Sequence, residues 1–103
     1  MKQRTRRLPA DRREELLKAA LKLATKHGYR NVTRAMVAEA CSVAESLIPY
    51  YFGTMTQFHR TLMRHAIHEG NATVVAQGLA DGNTYARKAP DALRKAAVAE
   101  LVS

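Results

Sequence analysis

Apolar residues in the first third of the chain recur at helical spacing. Leu16, Leu17, Ala20, Leu21, Leu23 and Ala24 fall on one side of a helix, with Lys18, Lys22 and Lys26 opposite. The pattern predicts an amphipathic helix with a solvated lysine face. Asp11 is placed as its N-cap, with Glu14 three residues on and Pro9 just outside, and Gly28 closes it after His27. Thr33 is placed as the N-cap of a second helix, whose inner face is Met36, Val37 and Ala40. A turn follows at Cys41-Ser42-Val43.

A third helix ends at Phe52, broken by Gly53, and two starts are open. If it begins at Ala44, Pro49 removes an interior hydrogen bond; if Ser46 is the cap, Pro49 falls in the tolerated first turn. Thr54 and Gln57 form a capping box for helix four, which is expected to run to about Gly70. Helix four is apolar on two faces, Phe58, Leu62 and Ala66 on one and Met55, Met63 and Ile67 on another, so it can pack in two directions. Beyond it the pattern predicts a short helix over 72–80 weakened by Gly78, and a turn at Asp81-Gly82-Asn83. A last helix starts at Pro90-Asp91 and carries Leu93, Ala97 and Leu101 on one side. No alternating strand pattern and no repeat is present. The expected fold class is all-α: a three-helix unit, a long helix four and short C-terminal helices. The division is a flexible basic arm over 1–10, the three-helix unit over 11–53, and an expected dimerisation segment over 54–103.

Length and composition narrow the function. A chain of 103 residues with 47% hydrophobic content has room for one domain with a real core. Lysine and arginine number 17 against 9 acids, a formal charge of +8. The excess is uneven: residues 1–30 hold ten basic side chains and three acidic ones, Asp11, Glu14 and Glu15. That asymmetry points to a polyanionic partner, the alternative being a solvated basic tail. The arm has no bulky apolar face, which disfavours a membrane surface. Cys41 has no partner for an internal disulfide and is expected to be a small buried hydrophobe. With no secretory or membrane-spanning run in the sequence, the expected setting is the bacterial, plasmid or phage-encoded cytoplasm.

Helices two and three, joined by a tight turn and preceded by a cationic arm, read as a helix-turn-helix, a device for lying in a DNA groove. Ala38, Ala40, Cys41 and Ala44 supply small residues where the helices cross, and Val43 can plug the core. The segments LLKAALKLATKHGYRNVT, VAEACSVAESLIPYYFGTM and QFHRTLM resemble the TetR family of repressors over roughly residues 12–65. The matching elements are Gly28-Tyr29, Thr33, Val37-Ala38, the turn Val43 and the aromatic pair Tyr51-Phe52.

The resemblance implies that Thr33 and Arg34 stand beside phosphates, and that Glu45, Ser46 and Leu47 face base edges. It further implies that Tyr50, Tyr51 and Thr54 hold the backbone. One of Tyr50 and Tyr51 is expected to be buried and the other to reach DNA. Arg4, Arg6 and Arg7 are expected in a minor groove or on phosphates. Four positions depart from the pattern: Ser42 replaces a turn Gly, Ala44 a capping Ser, Pro49 a common Tyr, and Met55 a phosphate-binding Lys.

About 40 residues follow the motif, too few for the family's inducer pocket and a dimer interface together. The expectation is therefore a constitutive repressor without small-molecule inducer, binding a palindromic operator in double-stranded DNA as a homodimer. Met63, Ile67, Leu93, Ala97 and Leu101 are the expected dimerisation residues. Two alternatives stand: a sequence-neutral architectural nucleic-acid binder, and a protein-interaction module such as an anti-repressor. His65, His68 and Glu69 lie close together, but no further ligand completes a tetrahedral metal set. No phosphate loop or nucleophile constellation suggests an enzyme, and no cofactor is expected.

Overall fold

The computed structural model describes residues 8–103, which form seven α-helices, with no strand among them. Helix α1 spans Pro9–His27. Its proline stands at the start, where the missing N–H costs nothing, and Leu8 occupies the N-cap position without a side-chain hydrogen bond. Asp11 is therefore not the cap the sequence suggested. It is a first-turn acid, placed to complement the helix dipole. A 3₁₀ turn, Tyr29–Asn31, leads into α2, Arg34–Cys41, then α3, Leu47–Phe52, and α4, Met55–His68. The Thr54–Gln57 capping box forms in full: Thr54 Oγ1 accepts from the Gln57 N–H, and Gln57 Oε1 accepts from the Thr54 N–H.

Helices α5, Ala72–Ala80, and α7, Asp91–Leu101, lie close to their expected places. Between them stands α6, Thr84–Arg87, which the periodicity did not announce. Four residues are too few to register a period. Asn83 nucleates it by accepting from the N–H groups of Tyr85 and Ala86.

One hydrophobic cluster runs through the described residues, and α4 sits in its middle, touching α1, α3, α5 and α6. Phe58, Leu62, Met63 and Ala66 of α4 are all fully buried. Met63 and Ala97 were expected on a dimer surface. Both are at 0% exposure inside the chain's own core, so neither side chain is available to a second subunit. Two smaller corrections concern α2. Its inner face is Val37 and Ala38, while Ala40 is exposed, and Cys41 is half-buried against the core rather than enclosed in it.

Gly78 does more than weaken a helix. A Cβ built there would stand 2.6 Å from Met63 Cε and 2.7 Å from the Ala86 methyl carbon. The missing side chain is what lets α4, α5 and α6 approach one another.

A polar lock ties the end of α1 to the α5–α6 connection. The Tyr29 hydroxyl donates to Asp81 at 2.7 Å, and Arg30 Nη1 donates to both Asp81 oxygens at 2.9 and 2.8 Å. Gln77 bridges the same gap, accepting from the Tyr29 N–H at 2.8 Å and donating to the Ala24 carbonyl at 2.9 Å. Burial, followed by the Asp81 hydrogen bond, raises the Tyr29 phenol above its ordinary pKa. The Tyr29 hydrogen bond, then that from Arg30, lowers the Asp81 carboxyl.

Two outcomes follow for stability. Gly78→Ala gains helix propensity but overpacks a rigid contact, so urea unfolding should show a net loss of about 1 kcal/mol. For Asp81, a folded pKa below the unfolded value of 3.8 means that its stabilisation is present above 3.8 and vanishes as pH falls through the folded value. Asp81→Asn should therefore lower the urea midpoint at neutral pH, with the gap to wild type closing below pH 3.8. A gap independent of pH would remove the carboxylate from the account.

Candidate nucleic-acid interface

The interface is built on two short helices and the turn between them. Thr33 caps α2, its hydroxyl accepting from the Met36 N–H at 3.2 Å. Arg34 begins the helix and is exposed, beside backbone N–H groups that have no intrahelical acceptor. Such an N-terminus with an adjacent guanidinium suits a phosphate.

At the other end of α2, Ser42 adopts the left-handed conformation, φ 56° and ψ 47°, which usually favours glycine. Its N–H and that of Val43 bond back to α2, the latter to Ala38 at 3.0 Å. This closes the turn and sends Val43 against the core as expected.

The recognition helix starts late. Leu47 and Ile48 donate to Ala44 and Glu45, three residues back, so the approach is a tight turn. Ser46 holds the N-cap position without a side-chain hydrogen bond, and α3 proper begins at Leu47. Of the two starts left open by the sequence, the later one is observed. Pro49 accordingly sits in the first turn, where no interior hydrogen bond is lost.

This register sorts the side chains by exposure. Ile48 and Phe52, one turn apart, are at 1% and 6% exposure and anchor the helix. Leu47 and Tyr51 are half-buried against the same core. Glu45 and Ser46 are exposed at the entrance, and Tyr50 stands out at 78%. The sequence suggested one buried tyrosine; Tyr51, the inner of the two, is half-buried, and Tyr50 is exposed.

A ladder of aromatic contacts supports the exposed ring. Tyr50 meets Tyr51 edge-on with centroids 5.1 Å apart, Tyr51 lies 6.2 Å from Phe52, and Phe52 meets Phe58 of α4 at 5.3 Å. The guanidinium of Arg13 covers Phe52 at 5.1 Å. Thr54, exposed, follows at the start of α4, its hydroxyl engaged by the cap. Met55 is half-buried against the core, so apolar packing stands where a lysine would offer charge.

Arg34, Glu45, Ser46, Tyr50 and Thr54 thus stand exposed on α2, α3 and the start of α4, with Thr33 capping beside them. Leu47 and Tyr51 are shared with the core. Arg4, Arg6 and Arg7 lie outside the described residues. The sequence reading missed the lock behind this unit. Tyr29 and Arg30 find Asp81 some fifty residues away, and His59 Nε2 lies 3.0 Å from the Val32 carbonyl oxygen just before α2. Pairs at such separations leave no trace in local spacing.

No helix among the described residues is long and apolar enough to cross a membrane. No curated protein and no solved structure matches the chain. Residues 16–60 match the family described as bacterial regulatory proteins, tetR family, a span running from Leu16 in the core of α1 to Arg60 on α4 and enclosing the whole α2–turn–α3 device. Residues 16–60 are therefore a TetR-family N-terminal helix-turn-helix domain, a DNA-binding module that implies transcriptional regulation.

Proposed function

We propose that the protein is a transcriptional repressor of the bacterial cytoplasm that binds a palindromic operator as a homodimer. The observation that carries this reading is Tyr50, a large polar aromatic side chain held 78% exposed on a helix whose neighbouring turns are fixed in the core. A free-standing tyrosine on so rigid a platform suits a fixed DNA backbone contact. Arg34 and the N-terminus of α2 supply a second phosphate contact, and the exposed Glu45 and Ser46 present base-reading groups at the entrance to α3. Thr33, Leu47, Tyr51 and Thr54 shape this surface, and Arg4, Arg6 and Arg7 add charge from the arm.

For the homodimer, the exposed apolar residues of the last helix and its end support a revised face. Val98, Leu101 and Val102 are 48%, 49% and 79% exposed, whereas Ile67 and Leu93 are half-buried. Two-fold symmetry then sets half-sites about one helical turn apart. The close approach of Met63, Gly78 and Ala86 supports a C-terminal layer that acts as scaffold and not as an inducer chamber. Regulation in this reading is constitutive.

Competition binding tests the proposal: a specific duplex should displace random DNA with roughly a thousandfold advantage, and equal competition would instead favour a sequence-neutral binder. Tyr50→Ala and Arg34→Ala should each weaken operator binding about tenfold or more while leaving the thermal midpoint nearly unchanged. Deleting residues 1–7 removes Lys2, Arg4, Arg6 and Arg7, and should reduce the salt slope of binding by about 3.

A further inference from the structure

Away from the recognition helix, the flank where α1, α4 and α6 meet carries a second basic feature. Two clefts of about 310 and 400 Å³ join there at Thr61 and Arg64. Arg13 and His65 line the first; Arg60 and Tyr85 line the second, which reaches Phe52-Gly53 at the end of α3. No carboxylate lines either cleft. Among the described residues, Arg13, Arg60 and Arg64 form no ion pair; Asp81, Glu15 and Asp91 pair with other arginines.

Two of the three guanidiniums are held in place by rings. Arg13 lies over Phe52 at 5.1 Å and Arg64 over Tyr85 at 5.7 Å. A guanidinium over an aromatic ring keeps its in-plane N–H groups available for an anion. The Thr61 hydroxyl bonds to no described residue and adds a further donor.

The geometry points to a binding site for a ligand that carries consecutive phosphate groups. Planar guanidiniums match phosphate oxygens bidentately, and residues four apart on a helix place their side chains about 5–6 Å from one another. Arg60 and Arg64 have that spacing, and Arg13 closes the row from α1. An isolated carboxylate would leave most of these donors unanswered. The phosphates can come from a free oligophosphate or nucleotide, or from the backbone of DNA held by the adjacent helix-turn-helix. The second source rests on the DNA-binding reading above; the first does not.

The test is calorimetric titration with inorganic tripolyphosphate, alongside salt-dependent binding of random duplex DNA. The proteins compared are wild type, R60Q/R64Q, T61V and a charge-matched control, K18Q/K22Q, on the exposed lysine face of α1. All of the substituted charges are exposed, so circular dichroism should show equal folding. Wild type should bind tripolyphosphate at one site, R60Q/R64Q roughly tenfold or more weakly, T61V in between, and K18Q/K22Q like wild type. That result, with the DNA salt slope of R60Q/R64Q unchanged, assigns the site to free phosphates. If R60Q/R64Q keeps tripolyphosphate binding but lowers the DNA salt slope by about 2 while the control does not, the backbone is the occupant. Equal losses in R60Q/R64Q and K18Q/K22Q, or no change in either arm, would overturn the site. Wild type that binds tripolyphosphate but no DNA would sink the operator reading and leave the site standing.

Discussion

The contact between Phe52 and Phe58 is the point on which the exposed face of the helix-turn-helix depends. Helix α3 has six residues and no side-chain cap, far below the length at which a helix persists alone in water. Its geometry is imposed by burial of Ile48 and Phe52 against a core organised by α4, with Arg13 covering the outer face of Phe52. Because Phe52 is fixed, Tyr51 is wedged beside it, and Tyr50 is left to point outward. The position of the outermost side chain is thus inherited from a ring buried in the core. Truncating Phe52 would cost about 3–5 kcal/mol and remove the platform together with the fold.

The rest of the chain can be understood as support for that platform. Helix α4 carries the helix-turn-helix on one part of its surface and α5 and α6 on another, and Gly78 permits the close approach. The Tyr29–Arg30–Asp81 lock and the Gln77 bridge fasten the end of α1 to the same layer. Met63 and Ala97 are enclosed in the same core, which leaves neither side chain available to a second subunit. They also bring Tyr85 of α6 beneath Arg64, placing a basic cleft beside the end of the recognition helix.

How much of the fold and the site is legible in the sequence follows from the range of each interaction. Thr33, Thr54, Gln57 and Gly53 act within a few residues of themselves, so local spacing alone places the caps and the breaks. The long apolar stripe of α4 is equally plain. Two starts for α3 stay open in the sequence because Ala44, Ser46 and Pro49 pull in different directions, and only packing of Ile48 and Phe52 settles the register. Asp11 misleads because a proline two positions earlier is an equally good opening. Helix α6 and the Asp81 lock escape because one is shorter than any period and the other joins residues some fifty apart. The surface assignment of Met63 fails for a related reason: periodicity shows that a face is apolar, not which neighbour covers it.

The central claim is that this rigidly mounted surface reads a two-fold symmetric DNA site. Selection of bound duplexes from a random pool, performed with the intact chain, tests it most directly. The account predicts enrichment of a palindrome whose half-sites lie about one helical turn apart, and loss of that enrichment in Tyr50→Ala. Recovery of duplexes with no shared sequence or symmetry would contradict it.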